Sequence, residues 1–123
     1  MKRLSGILLL SIFSIAFFGS CEKEEIIEIN NPAYFTIKNI DDFTYDFNIS
    51  GDEEGASIKL QASHFVISEI VRNESTSWSV VYHYKPEPGF IGTDSVKIET
   101  YTGSDGANIG NTELIQLYFQ ITE

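Results

Sequence analysis

The side chains able to do chemistry are few and scattered. Cys21 is the single cysteine, His64 and His83 are the only histidines, and the carboxylates fall in short clusters: Asp41, Asp42 and Asp46, then Asp52, Glu53 and Glu54, then Asp105 near Asn108. A lone cysteine has no partner for an internal disulfide. Two histidines supply at most half of a tetrahedral zinc shell, and they are expected to be surface or cross-strand packing residues. The acid clusters offer the oxygens calcium prefers, but none has the spacing of a dedicated calcium loop, and solvated turn acids account for them. No nucleophile elbow, phosphate-binding loop, dinucleotide fingerprint or metalloprotease helix occurs. The expectation is a protein that is not an enzyme, with no cofactor and no metal site.

The aromatic residues are the richer resource, because flat rings stack on sugar faces and anchor interfaces. Trp78, Tyr82, Tyr84 and Tyr101 come first to attention. A tryptophan in mid-strand is ordinarily core, so Trp78 is expected to be buried. Tyr34, Tyr101 and Tyr118 lie opposite the apolar faces of their strands and are the candidate ligand-binding aromatics.

The chemistry of Cys21 depends on what precedes it. Met1-Lys2-Arg3 is a basic start, Ile7 to Phe18 is a greasy run, and Gly19-Ser20 are small. Those are the three parts of a secretory signal, and the apolar run is shorter than the roughly 18–20 residues that span a bilayer. Phe18-Gly19-Ser20-Cys21 resembles the lipobox of bacterial lipoproteins, with Phe18 bulkier than the usual aliphatic. The resemblance implies a cleaved signal peptide over residues 1–20, a diacylglyceryl group on the Cys21 thiol, and membrane lipid as a partner. Acyl chains contribute about 0.8 kcal/mol per buried methylene, so two or three would hold a small domain durably.

Glu22-Lys23-Glu24-Glu25 follows directly and is similar to the export signal of Bacteroidota surface lipoproteins, a lysine with two acids. The resemblance implies that Lys23, Glu24 and Glu25 direct the protein to the outer membrane, facing the cell exterior. An acidic, solvated linker is the alternative for the same residues. In either case Glu22, Glu24, Glu25 and Glu28 repel one another and extend a tether over residues 21–32.

Charge narrows the partners further. The chain carries 8 Lys+Arg and 18 Asp+Glu; losing residues 1–20 removes Lys2 and Arg3, leaving 6 against 18 and a formal charge of −12. Lys38, Lys59, Arg72, Lys85 and Lys97 are scattered singly, so no basic patch is available and nucleic acid is excluded as a partner.

Residues 33–123 must then position whatever site exists. Apolar and polar residues alternate in short runs broken by Gly, Asn, Asp and Ser, the period of half-buried antiparallel strands. Ala33, Phe35 and Ile37 line a first strand; Phe43, Tyr45, Phe47 and Ile49 a second; Ile58, Leu60 and Ala62 a third. His64 to Val71 is a fourth, apolar on both faces and so expected to be central. Trp78, Val80, Tyr82 and Tyr84 share one side of a fifth, closed by Pro86 and Pro88. Val96 and Ile98 mark the sixth, and Ile115, Leu117, Phe119 and Ile121 the last. The expectation is all-β: a seven-stranded antiparallel two-layer sandwich with Greek-key connections.

Tyr84-Lys85-Pro86-Glu87-Pro88-Gly89-Phe90-Ile91-Gly92-Thr93-Asp94-Ser95-Val96 resembles the Y-x-P-x-x-G-F-x-G-T-D-S-F segment of bacterial immunoglobulin-like and cadherin-like modules, with Val96 where an aromatic is usual. The resemblance implies an immunoglobulin-like sandwich of the kind common in surface proteins and adhesins. The residues explain themselves as well: Gly89 and Gly92 permit a tight reversal, Phe90 plugs the end of the core, and Thr93 or Asp94 accepts open backbone N–H groups. Asp94-Ser95-Val96 is also similar to the Asp-Ser/Thr-aliphatic acceptor of Bacteroidota, which makes Ser95 a candidate for O-glycosylation.

Together these features point to an outer-membrane surface lipoprotein acting as a non-catalytic binding or adhesion module for a glycan or a protein. The alternative is a structural accessory docked on an outer-membrane complex such as a nutrient-uptake system. Fold alone separates neither from the other.

Overall fold

The computed structural model describes residues 31–103 and 110–123. The expectations for Cys21, Lys23, Glu24, Glu25, Asp105 and Asn108 fall outside these residues. Period-two alternation builds strands β1 (Asn31–Lys38), β2 (Phe43–Asp46), β3 (Gly55–Leu60), β4 (Phe65–Val71), β5 (Val81–Pro86), β6 (Gly92–Thr102) and β7 (Asn111–Thr122). They form two sheets, one ordered β1-β7-β6-β3 and the other β2-β5-β4. A one-turn 3-10 segment, Glu74–Thr76, precedes β5.

The inward faces of both sheets meet in one core. Ile37, Val96, Ile98, Ile115, Leu117, Phe119 and Ile121 come from the larger sheet, Tyr82 and Tyr84 from the smaller. The Tyr84 and Phe119 rings stack between the sheets at 4.4 Å with planes 1° apart, and Phe43 meets Phe119 edge-on at 5.1 Å. Burying side chains of this size stabilises the domain by about 1.5–3 kcal/mol each. The turn residues act as their chemistry requires: Gly89 takes φ +79, which L side chains disfavour, and Phe90 packs against the core.

Four expectations are corrected. The sheets are not wholly antiparallel, because β1 runs parallel to β7, Ala33 opposite Leu117 and Ile37 opposite Ile121. β4 is an edge strand rather than a central one: among the described residues it pairs with β5 alone, and Val66 faces solvent. Leu60 leaves the face it shares in sequence with Ile58, because the register shifts between them and turns it outward. Trp78 is neither in the strand nor in the core; it is 60 % exposed. Ser77 and Trp78 both adopt left-handed backbone, φ 53 and 62, which breaks the alternation before β5 begins at Val81. Val80, Tyr82 and Tyr84 are buried as expected.

Connectivity gives the domain two distinct ends. Asn31 lies opposite Ile115, so the chain enters at the end that holds the β2–β3 turn, the β4–β5 loop and the close of β6. There the Arg72 guanidinium donates to the carbonyl oxygens of Glu54, Ser50 and Gly51 at 2.9, 2.7 and 2.8 Å and fixes the acidic turn. The opposite end carries the connections leaving β1, β3 and β5, joined by backbone bonds such as Asn39 N–H to the Thr122 carbonyl at 2.8 Å.

Candidate ligand-binding face

The outward face of the larger sheet gathers two of the three candidate tyrosines. Alternation sends Phe35, Leu117 and Phe119 inward, so Tyr34 and Tyr118 point out, and the parallel register sets them side by side. Their rings stack at 4.9 Å with planes 10° apart, and Tyr34 is 74 % exposed. Ser95 continues the row, opposite Tyr118 across β6–β7. The next row toward the far end is Thr36, Gln120 and Thr93, all hydroxyl or amide. A shallow depression of about 280 Å³ is lined by Tyr34, Thr36, Thr93, Tyr118 and Gln120, with Phe35, Asp94 and Phe119 also bordering it. A second adjoins it, lined by Ser63, His64, Thr93, Asp94, Ser95 and Tyr118.

Asp94 holds this corner together. Its Oδ1 accepts the backbone N–H groups of Ser63 at 2.8 Å and Ser95 at 2.9 Å. Its Oδ2 accepts the His64 N–H at 2.8 Å and the Tyr84 hydroxyl at 2.8 Å. The carboxylate is thus the acceptor that the turn chemistry calls for, but two of its backbone donors come from the distant Ser63-His64 segment. The Tyr84 hydroxyl also lies 3.0 Å from the His64 carbonyl oxygen. Burial and the adjoining Asp94 carboxylate push the Tyr84 hydroxyl far above the ordinary tyrosine range.

The remaining candidate residues are set apart from the tyrosine pair. Tyr101 is exposed but sits opposite Gly55, whose missing side chain leaves room for the tyrosine ring. It lies opposite Thr112, six residues along β7 from Tyr118, or about 20 Å. His64 and His83 belong to separate contacts: the His64 ring stacks on Phe90 at 4.0 Å, and His83 Nε2 lies 3.1 Å from Asp42. Among the described residues no group of three or more His, Cys, Asp and Glu is placed to hold a metal.

The acids are used one by one. Asp41 accepts the Lys38 N–H at 2.9 Å, and Glu54 accepts the Gly51 N–H at 2.8 Å. The hydrogen bond from His83, aided by Lys85, holds the Asp42 carboxyl below the usual range. Ser79 and the Asn48 N–H do the same for Asp46.

Thr36 and Gln120 come together through the parallel β1–β7 register, which has no local sequence signal, Thr93 joins them through the β6–β7 register, and Ser63 is brought in by its N–H bond to Asp94. No family model, no curated protein and no solved structure matches the chain.

Proposed function

We propose that this protein is an outer-membrane surface lipoprotein, anchored through acylated Cys21 and directed outward by Lys23, Glu24 and Glu25, whose domain binds a glycan or a protein without catalysis. The observation that carries the reading is the solvent-facing Tyr34–Tyr118 stack with a rim of hydroxyl and amide side chains, where the one bordering carboxylate, Asp94, is engaged by internal donors. Rings held rigid by strand pairing offer contact area at small entropic cost, which suits recognition.

Two further arrangements support it. The chain enters at Asn31, while Tyr118 and Gln120 lie toward the other end of β7, so a tether at the N-terminus is attached at the end of the sheet away from Gln120. The strand orders support an immunoglobulin-like sandwich of seven strands. With β1 to β7 lettered A to G, the sheets are BED and CFG, and the first strand lies parallel to G.

Ser95 is proposed as an O-glycan acceptor on the same face. In the folded domain Asp94 is only 7 % exposed and Val96 is buried, so an enzyme reading all three residues must act before folding. A mass spectrum of native protein with Ser95 wholly unmodified would remove this element. For the binding role, the test is a glycan array together with capture from outer-membrane extract. A ligand whose retention is lost in Tyr34→Ala is expected; blank results from both assays would refute the role.

A further inference from the structure

The row that starts with Tyr34 and Tyr118 is open at its third place. Ser95 faces Tyr118 across β6–β7 just as Tyr34 does across β1–β7. Neighbouring strands lie about 4.8 Å apart. The 4.9 Å ring spacing matches this, so both rings stand upright with their faces toward the adjoining strands. A serine fills only the floor of the third place. The space above it is walled by Tyr118 on one side and by Ser63 and His64 on the other, with Thr93 and Asp94 beside the floor. That far wall is fixed, because Asp94 holds the Ser63 and His64 N–H groups and the His64 ring is stacked on Phe90.

The lining selects the chemistry of an occupant. Among the described residues no Lys or Arg lines the slot, and His64 Nδ1 has Glu87 Oε2 at 3.7 Å, so an anion finds no free cation there. The one lining carboxylate, Asp94, already accepts from four donors, so a cation finds no free anion. Main-chain addition of a peptide needs open backbone groups at a strand edge. Here β7 is paired on both sides, and the Ser95 N–H is taken by Asp94. What fits is a neutral ring with apolar faces and a hydroxyl edge.

We propose that the slot above Ser95 is a subsite for one pyranose ring of a neutral glycan, which completes the stack begun by Tyr34 and Tyr118. Its C–H face packs on Tyr118 at about 4 Å, and its hydroxyls meet the side-chain oxygens of Ser95, Thr93 and Ser63. The proposal rests on the reading that this face binds ligand. The glycan comes either from solution or from a sugar linked to Ser95 itself, and both present the same ring to the same wall.

The test uses the full-length protein in detergent micelles, prepared both from its native source and from a host that leaves Ser95 unmodified. Saturation-transfer NMR is run with cello-, laminari-, manno- and maltohexaose, alongside a mass spectrum of native Ser95. Binding of at least one hexaose by unmodified protein assigns the free source; a native Ser95 hexose with contacts to the Tyr118 ring assigns the linked one. Tyr118→Ala is expected to weaken free binding about tenfold, a loss near 1.4 kcal/mol. Ser95→Phe, which places a third ring in the row, is expected to abolish it with the thermal midpoint kept, while Ser95→Ala, which loses one hydroxyl contact but keeps the space, is expected to weaken it only severalfold. Equal binding by Ser95→Phe and Ser95→Ala overturns the subsite. So does the absence of any hexaose signal with Ser95 unmodified in native protein. If extract capture still depends on Tyr34 in that case, the slot proposal fails and the binding role stands.

Discussion

The Tyr84 hydroxyl on β5 donates to Asp94 Oδ2 on β6 at 2.8 Å, a buried hydrogen bond that joins the two sheets beside the candidate face. The same carboxylate orders the Ser63-His64 wall, so core integrity and site geometry depend on one residue.

Asp94→Ala is therefore expected to destabilise the domain by about 3–5 kcal/mol, because it strands backbone and phenolic donors with no acceptor. Urea unfolding followed by circular dichroism measures it. A loss below about 1 kcal/mol would show that water replaces the carboxylate at little cost.

Trp78 gives a prediction of opposite sign. An L residue in left-handed backbone costs roughly 1–2 kcal/mol, partly offset by the extra chain entropy of glycine in the unfolded state. Trp78→Gly is expected to raise stability by about 0.5–1 kcal/mol, since the exposed ring contributes little burial. A lowered urea midpoint would mean that the ring packs on its loop more than its exposure indicates.

The pH dependence has two limbs. Asp42 and Asp46 are held below their ordinary values, by His83 with Lys85 and by Ser79 with the Asn48 N–H. Their folded-state contribution is present above the ordinary carboxyl value of about 3.9 and is lost as pH falls through the lowered values. Tyr82 and Tyr84 are pushed up, chiefly by burial. Their contribution is present below the ordinary tyrosine value of about 10 and is lost as pH rises beyond it. Urea midpoints should fall below about pH 4 and above about pH 10. Tyr82→Phe should weaken the alkaline limb; an unchanged limb would assign it to other groups.

Cys21→Ser is expected to move the protein from the membrane fraction to the soluble one while leaving its urea midpoint unchanged, because residue 21 precedes β1. Continued sedimentation with the outer membrane would place the anchor elsewhere.

Local alternation made most of the strands legible: Ala33-Phe35-Ile37 and Ile115-Leu117-Phe119-Ile121 turn inward as their period dictates. It also turned Tyr34 and Tyr118 outward. Their contact was not legible, because it comes from the parallel register of the first and last strands, which only closure of the whole sheet sets. Trp78 departs from the strand alternation for a local reason. No glycine marks the left-handed pair Ser77-Trp78; the Asn73–Thr76 capping box and the Asn73 carbonyl accepting the Trp78 N–H at 2.9 Å impose it. β4 carries apolar residues on both faces, the pattern of a central strand, although among the described residues it pairs with β5 alone.

The most direct test of the binding role is the affinity of the full-length protein for the ligand retained from outer-membrane extract, compared across wild type, Tyr34→Ala and Tyr101→Ala. Tyr34→Ala should weaken binding about tenfold, and Tyr101→Ala, on the distant part of the sheet, should leave it unchanged. Equal affinity for wild type and Tyr34→Ala, or a loss confined to Tyr101→Ala, would contradict the assignment of the Tyr34–Tyr118 face.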